Sequence, residues 1–181
     1  MPQSAPAKQD DDGALDARAK ALVNPASGLA NDYLNIFNEI IMLVENFPDM
    51  PEFGPDILAW RPVSYADYFR ASSLPGRVQA LEAYVGISTE LRRSLEAVVA
   101  EIGELAAQAG ETVRQCERFP AMGAYVAHSY LELGAGMSAC LARATYIVNH
   151  GRTIPADDAQ ERADRLMRRR REDGRRRAGD R

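Results

Sequence analysis

The chain has 181 residues, 46% of them hydrophobic, and a formal net charge of -4. That is enough for one domain with a real core and too little for two comfortable ones. Its best apolar run, Ile40 to Val44, is far short of the roughly 18 residues a membrane-spanning helix needs.

The opening MPQSAPAKQDDDG has no apolar stretch of the kind a secretory signal carries, so the expectation is a chain that stays in the cytoplasm. Cys116 and Cys140 stand 24 positions apart, with no CxxC and no His at ligand spacing. Reduced thiols are expected, and neither a zinc cage nor a disulfide framework. The charge is unevenly divided. From Arg162 onward, ten Arg face four carboxylates, a balance of +6, which leaves -10 on residues 1 to 161. An acidic body carries a basic tail.

In chain order, residues 1 to 13 are too polar to offset the entropy of ordering and are expected to be disordered. Leu15, Ala19, Leu22 and Val23 suggest a short helix ending at Asn24, because Pro25 disfavours helical geometry in the residue before it. Beyond Ser27, a helical wheel separates two faces. Leu29, Tyr33, Ile36, Phe37, Ile40, Ile41, Leu43, Val44 and Phe47 fill one half, and Ser27, Asn31, Asp32, Asn35, Asn38, Glu39, Glu45 and Asn46 most of the other. Only Met42 intrudes on the polar side. A helix of about twenty residues is predicted there.

Pro48, Pro51, Pro55 and Pro62 break the chain into an irregular connection, with one helical turn in PDILAW and Trp60 as its anchor to the core. SYAD at 64 to 67 has the form of a capping box opening a helix to about residue 71. Another helix is expected behind Ser72 or Ser73, stopped by Gly86. Two long helices follow. One begins after Ser88 and runs to about Glu117; the other runs from Pro120 to His150, with Gly151 as its left-handed cap. Pro155 opens a last helix with acidic residues first and Arg last, and the final GRRRAGDR is expected to be disordered.

No strand alternation or solenoid repeat is visible, so the predicted fold class is all-α. It is a compact helical bundle of four to six helices spanning 24 to 151. Residues 1 to 23 precede it, and the basic helix and Arg-rich tail, 152 to 181, follow it.

Chemistry-bearing patterns are sparse. There is no P-loop, GxGxxG, GxSxG or HExxH, which favours a non-enzymatic role without cofactors. On the helix from 120 to 150, Tyr125, His128, Ser129, Glu132, Gly136, Arg143, Tyr146 and His150 share a face. His128 and Glu132 are the weak metal candidates, but the Glu-x-x-His motif of carboxylate-bridged di-iron bundles is absent. Gly103, Ala106, Ala107 and Gly110 form one small-residue stripe, and Gly123, Ala127, Gly134 and Ser138 a looser one, suited to close helix packing or to a homodimer. Arg168, Arg169, Arg170, Arg171, Arg175, Arg176 and Arg177 offer a sequence-blind contact to nucleic acid or to an acidic partner. The acidic body and the lack of tail aromatics weigh against nucleic acid as the main ligand.

The asparagines are the least ordinary feature. No Lys or Arg occurs between Lys20 and Arg61, so this polar face lacks the opposite-charge pairs that support exposed helices. Asn31, Asn35, Asn38 and Glu39 are therefore candidate interface residues, facing the Pro-rich connection or a second chain.

NPASGLANDYLNIFNEIIML and DILAWRPVSYADYF resemble the opening of a group of small alphaproteobacterial proteins, over residues 24 to 95. The resemblance implies a bacterial cytoplasmic protein and transfers no activity. Taken together, the expectation is a cytoplasmic homodimer or partner-binding protein with a regulatory role.

Overall fold

A computed structural model describes residues 22 to 118 and 123 to 153. Residues 1 to 21 of the predicted N-terminal segment, Pro120, the helix from Pro155 and all the tail arginines lie outside them. Among the described residues the chain forms six α-helices and one two-stranded antiparallel ribbon, so the all-α bundle is the architecture.

The first departure from expectation comes at the start. Residues 23 to 34 are not α-helical: β1 (Val23–Asn24) pairs with β2 (Leu29–Ala30), and a 3-10 turn covers Asn31–Leu34. Only then does α1 (Asn35–Asn46) begin. Local side-chain bonds explain the loss of helix. The Asn24 side-chain carbonyl accepts the Ala26 N–H at 2.9 Å, and the Ser27 hydroxyl accepts the Leu29 N–H at 3.1 Å. Gly28 completes the turn at φ +72°, a conformation glycine adopts without steric penalty. The predicted faces survive this change, since Leu29, Tyr33, Phe37, Ile40, Ile41, Leu43, Val44 and Phe47 are all buried. Ser27 is the exception on the polar side. It is buried, and its hydroxyl donates to the Val148 carbonyl.

The connection after α1 carries a 3-10 turn at Pro51–Phe53 and α2 (Gly54–Ala59), so its helical part is slightly longer than one turn. Trp60 anchors it as expected, its indole N–H donating to the Ile36 carbonyl at 3.3 Å. Ser64 caps α3 (Tyr65–Ala71) by accepting the Asp67 N–H at 3.1 Å. Asp67 reaches back to the Ser64 hydroxyl at 2.7 Å rather than to its backbone, and that bond, then Arg70, holds its carboxyl below the usual range. α4 (Arg77–Gly86) starts five residues later than Ser72, because Gly76 at φ +88° is its N-terminal boundary.

α5 (Thr89–Arg118) and α6 (Gly123–His150) are the long pair. They run antiparallel: Tyr130 donates to the Ala109 carbonyl at 3.1 Å, and Arg143 pairs with Glu101 at 2.6 Å. α1 lies against α6, with the Phe47 and Tyr130 ring centroids 4.7 Å apart. A second layer of aromatic residues joins α1, α3 and α4, where Tyr33 meets Phe37, Tyr65 and Tyr68 edge-on and Tyr65 stacks on Tyr84.

Gly151 closes α6 in the left-handed conformation, φ +63°, its N–H on the Ile147 carbonyl. A Cβ there would run into the Ala26 carbonyl of the β1–β2 turn. Gly151→Ala is thus expected to lower stability by about 1 to 3 kcal/mol, through unfavourable backbone geometry plus displacement of the ribbon from α6. Chemical denaturation compared with wild type checks this.

Burial also raises the Tyr65 hydroxyl to about 12, and raises Tyr33 and Tyr130 as well. A raised folded-state value means the neutral phenol is favoured in the fold. The associated stability is intact below the usual tyrosine value near pH 10 and is lost as pH rises through the folded values. Ultraviolet titration should show these three ionising only as helicity disappears, after the half-buried Tyr68 and Tyr84, whose hydroxyls burial raises less.

Candidate functional site

α1 turns its polar half outward as the sequence pattern predicts. Asn35, Asn38, Glu39, Met42 and Asn46 are exposed and fall at helical spacing in one stripe. Among the described residues, the side chains of Asn35, Asn38 and Glu39 make no hydrogen bond. The Pro-rich connection does not cover them; it packs on the other side, through Trp60 and Phe37, whose ring centroids are 6.4 Å apart. Asn31 has a different role. Its amide donates to the Asn149 side chain at 3.2 Å, and Asn24 approaches the same acceptor at 3.5 Å, so these three asparagines tie the ribbon and the first turn to the end of α6.

Glu45 leaves the polar face altogether. It packs against Gly134 of α6, where a Cβ would lie 2.7 Å from the Glu45 Cγ, and it accepts from Ser138 at 3.5 Å. One turn before Gly134, Leu131 is 62% exposed, and in the middle of the α1 stripe Met42 is 47% exposed. The outer surface of α1 is thus amide-rich and cation-free with an apolar centre, and α6 carries a further exposed apolar side chain at Leu131.

The polar face of α6 divides into parts. His128 and Glu132 meet at 3.2 Å, both well exposed. Among the described residues no group of three or more His, Cys, Asp or Glu stands close enough to hold a metal ion. Arg143 faces α5, and Gly136 packs against Leu105 of that helix. At the far end Tyr146 stacks on His150 at 4.2 Å, and Arg152 donates to the Tyr146 hydroxyl at 3.2 Å.

Both small-residue stripes receive elements of the same chain. A Cβ on Gly103 would meet Pro62 at 3.2 Å, and one on Gly110 would meet Leu58 at 3.5 Å. α2 and the connection therefore sit directly on α5, which leaves a shallow groove of about 160 Å³ between them. Its floor is Gly103, Ala107 and Gly110, and Trp60, Leu58 and Pro62 form the wall. Arg61 and Arg114 stand at the rim. Residues 57 to 62 and 103 to 114 are distant in sequence, and the pattern of the chain did not bring them together. The Gly103 to Gly110 stripe was the one available signal.

No family model, curated protein or solved structure matches this chain. The class defined by the fold and these surfaces is a helical bundle in which no described helix is long and apolar enough to cross a membrane.

Neither thiol is built for nucleophilic work. Burial pushes Cys140 up to about 12, with the Glu101 carboxylate adding to it, and burial raises Cys116 too. Native protein should react with a disulfide reagent slowly at Cys116 and not measurably at Cys140, and both should react at once in denaturant. Mass spectrometry of the labelled protein reads the outcome.

Proposed function

We propose that this protein is a non-catalytic binding or regulatory protein that associates through the outer face of α1, with a second copy of itself as partner. The observation that carries it is the exposed stripe Asn35, Asn38, Glu39, Met42 and Asn46, with Met42 open at its centre. A solvated helix of this length gains from opposite-charge pairs, and this one has no cation with which to make them. Amides suit self-contact better than charges do. Across a two-fold axis each residue lies near its own counterpart, and an Asn side chain both donates and accepts, so it can bond to its own copy.

α1 is about 18 Å long, too little for the roughly 800 Å² per partner of a stable interface. The contact therefore extends over α6, where Leu131 supplies further apolar surface. The resemblance of residues 24 to 95 to small alphaproteobacterial proteins supports a bacterial cytoplasm as the setting.

Light scattering on the purified chain should give twice its 19.9 kDa mass. The double substitution Asn35→Lys, Asn38→Lys places four cations at the contact and should return the mass to that of one chain. The intrinsic stability of these exposed positions should move by less than about 0.5 kcal/mol. An unchanged mass and melting temperature in the variant would remove the α1 face from the interface.

A further inference from the structure

A second surface, independent of α1, carries its own inference. We propose that the groove between Trp60 and α5 binds a short acidic peptide of a partner protein, seating one apolar side chain over Ala107 with flanking carboxylates at Arg61 and Arg114.

The shape argues for a side chain rather than a larger ligand. At about 160 Å³ the groove is below the roughly 300 to 1,000 Å³ of small-molecule pockets. Gly103, Ala107, Gly110 and Arg114 follow one another along a single stripe of α5. Because Gly103 lacks a side chain, Pro62 comes down onto the helix; Leu58 lies over Gly110 at ordinary contact distance, and Ala107 between them stays exposed. The Trp60 ring that bounds the space is fixed by its bond to the Ile36 carbonyl.

The charge argues for an acidic ligand. Two arginines line the groove and no carboxylate does, in a body that sums to -10 before the tail. Arg61 is held in place on the rim, its Nη1 donating to the Leu58 carbonyl at 2.8 Å and the Trp60 carbonyl at 2.6 Å. Those bonds use one nitrogen of a guanidinium that carries five N–H donors in a rigid fork. Arg114 meets Glu111 at 3.2 Å in an exposed pair, a contact weak enough for a ligand carboxylate to replace.

Trp60 is the one tryptophan in the chain, so its emission reports on the groove directly. The probe is the blocked pentapeptide Asp-Glu-Leu-Glu-Asp, titrated into the full-length protein at low salt. A saturable emission change at millimolar peptide is expected. It should weaken roughly tenfold with Asn-Gln-Leu-Gln-Asn, or with Arg61→Ala and Arg114→Ala together. Ala107→Leu fills the floor and should abolish the response. Leu is a good helix former at that exposed position, so an unchanged melting temperature keeps this variant informative.

No saturable change, or equal affinity for the neutral peptide, overturns the proposal. Tighter binding of sodium octanoate than of the peptide overturns it in favour of a small amphiphilic carboxylate. Tighter peptide binding after Asp10→Asn, Asp11→Asn and Asp12→Asn overturns it in favour of the chain's own acidic segment.

Discussion

Burial of Tyr33 is the constraint on which the N-terminal half depends. Its ring touches Phe37 on α1 and both Tyr65 and Tyr68 on α3, and its hydroxyl donates to the Val63 carbonyl at 2.7 Å. One side chain thereby fixes where a proline-broken connection returns to the helix it left. A phenol taken out of water needs a partner, and the Val63 carbonyl supplies it. Tyr65 repeats the arrangement one layer out. Its oxygen accepts the Ala30 N–H at 2.8 Å, and its ring stacks on Tyr84 of α4. The irregular segments are thus held by aromatic area and a few buried bonds rather than by continuous secondary structure.

With those segments pinned on one side of α1, its other long contact goes to α6, and what remains is the outer stripe. Gly134 admits Glu45 between the two helices, and Asn149 gathers the amides of Asn24 and Asn31. The polar residues at the edges of the stripe are thereby absorbed into the fold. Asn35, Asn38 and Glu39 are left outside it, around an apolar Met42. The distinction between a structural asparagine and a candidate interface asparagine comes from which neighbour lies within reach, since Asn31, Asn35 and Asn38 share one polar face of the wheel in the sequence.

Helical periodicity was legible because burial follows it: the apolar half of residues 29 to 47 is the core face in the structure. The secondary structure of residues 23 to 34 was not. Short polar side chains at Asn24 and Ser27 bond to nearby backbone, and a positive φ at Gly28 turns the chain, so a ribbon and a 3-10 turn replace the helix while sending the same residues inward. Hydrophobic patterning records which residues face the core and is less sensitive to how the backbone takes them there. The onset of α4 shifted for a related reason. Ser72 does accept a backbone N–H, from Leu74 at 3.0 Å, but in a turn of its own, and the left-handed Gly76 sets the boundary. Small-residue stripes indicated close packing without naming the partner, which on α5 proved to be α2 and the connection.

The two surfaces left open differ in the same physical sense as the chain's charge. A body carrying -10 repels its own copies, so a self-associating face must do without net charge at its centre. Amides around a methionine meet that condition, and Glu39 is compatible with it only off the two-fold axis, where its copy is distant. A face for a different, acidic partner has the opposite requirement and needs local cations. The groove beside Trp60 places two arginines at the rim of one apolar floor, with carboxylates kept out of its lining. The groove and the α1 stripe thus favour different occupants, and contact at one does not compete electrostatically for the other.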